Sequence, residues 1–164
     1  VAQLTPAPLD STAAAPTLSV MANTMGMLFV LTPEAPISTV LAELGWTQPR
    51  AQLDGQADPM FQMAMLLSPE QLADHDADVV VVLGGSTYYD AEAVTSLPTF
   101  QTLPAVQDGR FYEADGDMWF GTYPFAIFWA IEDVALIAAG ADQSEIGTLD
   151  DTTARWEAFE ALAA

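Results

Sequence analysis

Five consecutive aliphatic residues, Val79-Val80-Val81-Val82-Leu83, run between Asp78 and the pair Gly84-Gly85. A strand with one wet face alternates apolar and polar side chains, because successive side chains point to opposite faces. An unbroken apolar run of strand length belongs instead to a strand covered on both faces, and such strands lie in parallel sheets flanked by helices. The chain has the helices to do this. Behind Pro36, the residues Ile37, Val40, Leu41 and Leu44 recur at i, i+3, i+4 and i+7, and Gly45 stands where a C-terminal cap belongs. Ser68-Pro69-Glu70-Gln71 combines a capping serine, a proline at the first helical position and a glutamine that completes a capping box, which predicts a second helix.

Further along, Asp90 caps a short helix through Ser96, and Thr99 to Val106 holds another helical turn or two. Pro124 opens a long apolar helix ending at Gly140, Asp142-Gln143-Ser144-Glu145 repeats the capping box, and a last helix from about Asp151 carries Trp156, Phe159 and Leu162. Leu18 to Ala22, Met27 to Leu31 and Arg110 to Ala114 read as further strands, with a turn at Asn23 to Gly26. Thr47 to Met65 reads as a loop with a short strand near Phe61. Asp115 to Thr122 reads as a loop loaded with Trp119, Phe120 and two glycines. Strands alternating with helices predict an α/β fold, a three-layer αβα sandwich with a mainly parallel central sheet, a Rossmann-like lobe. Residues 1–16, rich in Ala, Pro, Ser and Thr, read as a linker or the remnant of an interlobe segment, and 17–164 as one domain.

Composition narrows function by exclusion. Three arginines (Arg50, Arg110, Arg155) stand against 23 acidic residues with no lysine, so the net charge is 3 − 23 = −20. Such a surface repels nucleic acid phosphates and anionic lipid, and it suits an exported or salt-adapted protein. The absence of cysteine removes disulfides, thiol catalysis and cysteine-ligated metal. His75, the lone histidine, lies in Asp74-His75-Asp76, which reads as a solvated helix end, and one histidine is too few for a bare zinc or manganese site. Gly84-Gly85 lacks the other glycines of a dinucleotide fingerprint and the lysine of a phosphate loop. No nucleophile elbow surrounds a serine, so no enzyme activity and no catalytic residue are expected. Ser11 to Pro33 is interrupted by Pro16, Asn23 and Gly26, and Met118 to Ile131 is too short for a membrane span.

The order of motifs resembles the C-terminal lobe of the solute-binding proteins that serve iron-siderophore, haem and cobalamin ABC importers (periplasmic binding proteins of class III). Val40-Leu41-Ala42-Glu43-Leu44-Gly45-Trp46 is similar to the family's "LLealG" helix end. Leu67-Ser68-Pro69-Glu70-Gln71-Leu72-Ala73, then Asp76-Ala77-Asp78-Val79-Val80-Val81-Val82, resembles its "iS-x-E-x-L-x-x-l-d-ADvivv" stretch. Leu103-Pro104-Ala105-Val106-Gln107-Asp108-Gly109-Arg110-Phe111-Tyr112 resembles "lpAVkdGRvy", and Trp119 followed by the helix from Pro124 to Gly140 resembles the closing pattern. The resemblance implies a non-enzymatic carrier that binds a ferric siderophore between two lobes, with no covalent cofactor, and docks on an ABC permease. A haem or cobalamin carrier is the alternative within the family; an α/β enzyme domain of flavodoxin-like or nucleotide-binding type is the alternative outside it. It further implies an extracytoplasmic location, periplasmic or lipid-anchored on the outer face of the cell membrane, an export signal outside this chain, and an N-terminal lobe that these 164 residues do not supply.

Ligands of open α/β sheets bind at the carboxyl ends of the strands. That rule selects the loops Asn23 to Met27, Asp58 to Met65, Gly84 to Tyr89 and Gly116 to Phe120. Their ligand-binding candidates are Met25, Phe61, Met63, Tyr88, Tyr89, Trp119 and Phe120, soft and aromatic surface suited to a bulky chelate. The alternative for each is ordinary core packing. A tyrosine phenolate is also a hard donor for ferric iron, although rim or stacking contact requires less of Tyr88 and Tyr89; no protein metal ligand is assigned. Arg110 follows a turn at a strand start and is expected to pair with a carboxylate. The family resemblance implies one more role, permease docking through Glu70 of the S-x-E motif; locally, Glu70 is also a first-turn acid favoured by the helix dipole.

Overall fold

The computed structural model describes residues 15–163; the expected linker falls largely outside them. The sheet has five strands: β1 (Leu18–Thr24), β2 (Met27–Leu31), β3 (Ala64–Leu66), β4 (Val79–Gly84) and β5 (Phe111–Asp115), in the spatial order β3-β2-β1-β4-β5. β4 lies parallel to both β1 and β5, whereas β2 is antiparallel to β1 and to β3. Four strands therefore share one direction and β2 alone opposes them. All six residues of β4 are buried, as its unbroken apolar sequence requires. Successive side chains divide between two cores: Val79, Val81 and Leu83 on one face, Val80 and Val82 on the other.

The first face is covered by α1 (Pro36–Glu43), α6 (Gly116–Trp119), α7 (Pro124–Ala138) and α8 (Thr152–Ala163). The second is covered by a 3-10 helix (Pro69–His75) with α3 (Ala91–Thr95), α4 (Pro98–Gln101) and α5 (Pro104–Gln107). On this side α2 (Arg50–Leu53) places Gln52 fully buried, its amide donating to Ser19 at 2.6 Å. Each fully buried Val or Leu contributes about 1.5–3 kcal/mol by leaving water, so the double-sided β4 strand is the anchor of the fold. The predicted three-layer αβα sandwich is the observed one.

Local differences have physical causes. The segment behind Ser68 has its capping box, with the Ser68 amide donating to Gln71 Oε1 at 2.9 Å, but winds as a 3-10 helix. Its buried residues, Leu72 and His75, are three apart, and a helix of three residues per turn stacks them on one line facing the core. His75 is thus 3% exposed rather than solvated, and its Nδ1 has no hydrogen-bond partner. Burial holds its pKa below the ordinary imidazole value, against a smaller opposing effect of Asp74. The expected loop after β5 contains α6, because the Asp115 carboxylate caps it by accepting from the Met118 amide at 3.0 Å. The strand expected near Phe61 is β3, three residues further on. Arg110 pairs as expected, with Asp108 at 2.8 Å.

Candidate functional site

The carboxyl ends of β1, β4 and β5 form one edge of the sheet, and three loops leave it. The β1–β2 turn is made by Met25 (φ 51°) and Gly26 (φ 76°), two left-handed residues in succession, as the tight turns of twisted hairpins require. Met25 accepts this conformation with a side chain, a strain of about 1–3 kcal/mol, and stands 83% exposed at the tip. The Asp90 amide donates to the Asn23 carbonyl at 3.0 Å, fastening the β4–α3 loop to this turn. Asp90 also caps α3, accepting from the Ala93 amide at 3.0 Å.

At the end of β4, glycine lets neighbouring carboxylates approach the backbone. A Cβ on Gly84 would lie 2.5 Å from Glu113 Oε1, and one on Gly85, itself at φ +72°, would lie 3.0 Å from Asp115 Oδ2. Both acids come from β5, whose parallel register sets Leu83 beside Ala114 and Gly84 beside Asp115. A polar recess of about 500 Å³ opens here between Gly85, Ser86, Tyr89, Glu92, Thr95 and Glu113. A second, of about 380 Å³, runs along the outer side of β5 past Asp115, Gln143, Thr148 and Asp150. Gln143 covers that strand edge, accepting from the Glu113 amide at 2.7 Å and donating to the Glu113 carbonyl at 2.9 Å. Asp115 is 4% exposed, and burial pushes its carboxyl pKa up.

Aromatic residues complete the edge. Tyr88 is 71% exposed, while Tyr89 lies half-buried against Gly116, where a Cβ would collide with its ring, and 6.2 Å from the Phe120 ring. Burial, reinforced by Asp117, pushes the Tyr89 phenol up to about 12, so it stays protonated at neutral pH. Met25, Tyr88, Tyr89 and Phe120 therefore belong to loops of one edge.

The remaining candidates are placed elsewhere. Trp119 is 1% exposed, its indole nitrogen donating to Asp133 at 2.9 Å, so it belongs to the core and offers no surface to a ligand. The loop holding Phe61 and Met63 enters β3 at its amino end, and β3 runs with β1, so the loop leads to the opposite edge of the sheet. Phe61 stacks on Phe29 at 6.2 Å, and both Phe61 and Met63 pack half-buried against the first core. Glu70, fully exposed, follows Pro69, which lines a third recess of about 380 Å³ with Gly26 and Met27 beside the Met25 turn. Backbone amide hydrogen bonding, helped by the Ser68 hydroxyl, holds its carboxyl below the usual range. Sequence reasoning missed the acids Glu92, Glu113, Asp115 and Asp117. Their signal was the Gly84-Gly85 pair beside the alternating acids of Glu113-Ala114-Asp115.

No family model and no curated protein matches the chain. Solved structures do. The siderophore periplasmic binding protein from the fuscachelin gene cluster of Thermobifida fusca superposes with a TM-score of 0.67 at 21% identity, over 79% of this chain and 46% of that one. A FhuD-fold periplasmic binding protein of a Fep/Fec-like ferrichrome ABC transporter from Bacillus subtilis gives 0.61 at 18%, over 76% and 47%. FhuD2 from Staphylococcus aureus with bound ferrioxamine B gives 0.61 at 13%, over 77% and 48%. The chain has the fold of part of these proteins and spans about half the length of each.

Proposed function

We propose that the chain is the C-terminal lobe of an extracytoplasmic solute-binding protein that receives a ferric siderophore and presents it to an ABC permease. The observation that supports this reading is the extent of the fold match: a three-layer α/β fold, matched over 76–79% of the chain, corresponds to nearly half of each of several siderophore-binding proteins. Half of a two-lobe clamp supplies half of a ligand site, and this edge offers the exposed side chains of Met25 and Tyr88 beside the half-buried rings of Tyr89 and Phe120, soft and aromatic groups that suit such a half-site. Glu70, next to Pro69 of the recess beside the Met25 turn, is an exposed carboxylate within reach of a partner's arginines, which is the docking role proposed for it.

The test is a titration of the full natural protein containing this chain with ferric hydroxamates, ferric catecholates, haem and cobalamin, followed by tryptophan fluorescence. Sub-micromolar, saturable binding of a ferric siderophore is expected. Preference for haem or cobalamin redirects the reading within the same class of carriers, and no binding by any of the four refutes it.

A further inference from the structure

The 3-10 helix Pro69–His75 is fastened at both ends and lightly seated between them. Ahead of it the Leu67 amide donates to the Leu28 carbonyl at 2.9 Å, and behind it the Val79 amide donates to the Thr17 carbonyl at 3.1 Å. Between these points only Leu72 and His75 are buried. The last hydrogen bond of the helix, from the Asp76 amide to the Ala73 carbonyl, is 3.5 Å long, at the limit of such a bond. The segment is therefore a strap across the second face, and one of the two side chains that seat it is an imidazole.

Nothing around that imidazole balances a positive charge. It is 3% exposed, forms no ion pair among the described residues, and leaves its Nδ1 without a hydrogen-bond partner. The sheet side chains of this core, Met21, Leu28, Val80 and Val82, are apolar. Of the helices on this face, α2 and α4 pack against the strap. α4 and α5 bring no titratable group, and Arg50 of α2 is exposed and paired with Asp54 at 2.6 Å. Glu70 and Asp74 on the strap itself are exposed, Asp76 accepts from the Ala105 amide at 3.3 Å, and Asp78 accepts from the Thr17 amide at 2.8 Å. The other buried carboxylates among the described residues serve the first face, where Asp115 caps α6 and Asp133 receives the Trp119 indole.

We infer that Pro69–His75 is an acid-released strap: protonation of His75 lifts the helix off the second face as a unit, hinged near Leu67 and Val79, and moves Glu70 with it. Burial, opposed only in part by Asp74, disfavours the charged imidazole while the strap is seated, so its pKa there lies below the ordinary 6.5. In the lifted form the ring returns to water and binds the proton more readily. The lifted population therefore grows as pH falls through about 6.5, by up to about tenfold per pH unit for one proton. The device stands independently of the carrier reading; where Glu70 docks a permease, it makes docking sensitive to acid.

Hydrogen exchange of the full natural protein, followed by mass spectrometry at about pH 7.5 and about pH 5.5 and corrected for the intrinsic pH dependence of amide exchange, reads the strap directly. Peptides covering Leu67 to Ala77 should exchange up to about tenfold faster at the lower pH, while those of β4 keep their protection. The wild-type comparison needs no variant. His75→Gln, whatever its baseline, should show no such step. Unchanged exchange of the strap in the wild type, an equal step in His75→Gln, or loosening of β4 by the same factor as the strap would overturn the inference; the last outcome would assign the effect of acid to unfolding of the whole domain.

Discussion

Replacement of Asp133 by alanine tests how the aromatic edge is held in place. Asp133 is 0% exposed and accepts from three donors: Trp119 Nε1 at 2.9 Å, the Gly147 amide at 2.9 Å and the Arg155 guanidinium at 2.7 Å. These donors come from α6, from the segment before α8 and from α8 itself, so one carboxylate on α7 joins three parts of the first face. Removing it leaves a guanidinium that is only 11% exposed with the more distant Glu132 at 3.8 Å and the Trp129 carbonyl at 3.2 Å, and leaves an indole N–H and a backbone amide without an acceptor. Breaking one side of a buried ion pair costs about 3–5 kcal/mol, a large share of the 5–15 kcal/mol that typically holds a domain. Urea unfolding followed by circular dichroism should show that loss with an unchanged m-value. In a domain of this size it corresponds to a fall in Tm of about 6–20 °C. Asp133→Leu combined with Arg155→Met should cost less than the sum of the single replacements, because the under-compensated charge disappears with its partner. A loss below about 1 kcal/mol for Asp133→Ala, or strict additivity, would refute the account of Trp119 as an anchored core residue.

Glu70→Gln should leave chelate affinity and melting temperature nearly unchanged while abolishing uptake or permease-stimulated ATP hydrolysis; normal uptake would leave Glu70 as a residue of the helix start only. His75 has its folded pKa lowered from 6.5 by burial, so the unfolded chain binds the proton more readily; stability should fall as pH drops below about 6.5, and His75→Gln should flatten that dependence in urea titrations between pH 5 and 8. Asp115 and Glu132, whose carboxyl pKa values burial raises, act in the opposite sense at lower pH, so the comparison of the two proteins isolates the imidazole. Met25→Asn should stabilise the protein by up to about 1 kcal/mol, since asparagine tolerates the left-handed conformation better, and should weaken chelate binding if the exposed thioether makes contact; calorimetry and titration read the two effects separately. A net charge of −20 repels itself, so raising sodium chloride from low to molar concentration should raise the urea midpoint; an unchanged midpoint would show that the acids are too dispersed to matter.

The layers of the fold were legible because they are written in local patterns. The apolar run of β4 implied cover on both faces, and the periodic stripe of α1, the proline openings and the capping boxes marked where helices begin. What escaped was short or cooperative. α2 has four residues and no cap side chain, so nothing local announces it; Gln52 is held there by Ser19, 33 residues away. α6 had a readable signal in Asp115 before Gly116-Asp117-Met118, a capping acid with a second acid in the first turn, but the flanking glycines suggested a loop. Its recognition would have turned Trp119 inward. The pair Glu132-Asp133 inside an otherwise apolar α7 carried the same message, since a buried carboxylate requires donors and the chain has only three arginines.

Which edge of the sheet a candidate loop occupies turns on strand direction, which is a non-local property. A loop's residue types show whether it can contact a bulky chelate; the edge of the sheet to which it belongs depends on which way the next strand runs. Gly84 to Tyr89 follows a strand whose parallel partners were legible, and it lies on the expected edge. Asp58 to Met63 precedes β3, and β3 is aligned with β1 only because β2 returns antiparallel between them. Had β2 crossed over through a helix instead of turning at Met25-Gly26, β3 would have been free to run the other way and Phe61 would have met Tyr88 at one edge. The two-residue turn therefore does more than present Met25. By reversing the chain there, it sends the loop of Phe61 and Met63 to the opposite edge, half-buried against the first core, and leaves the proposed ligand edge to Tyr88, Tyr89, Phe120 and the carboxylates beside the β4 glycines.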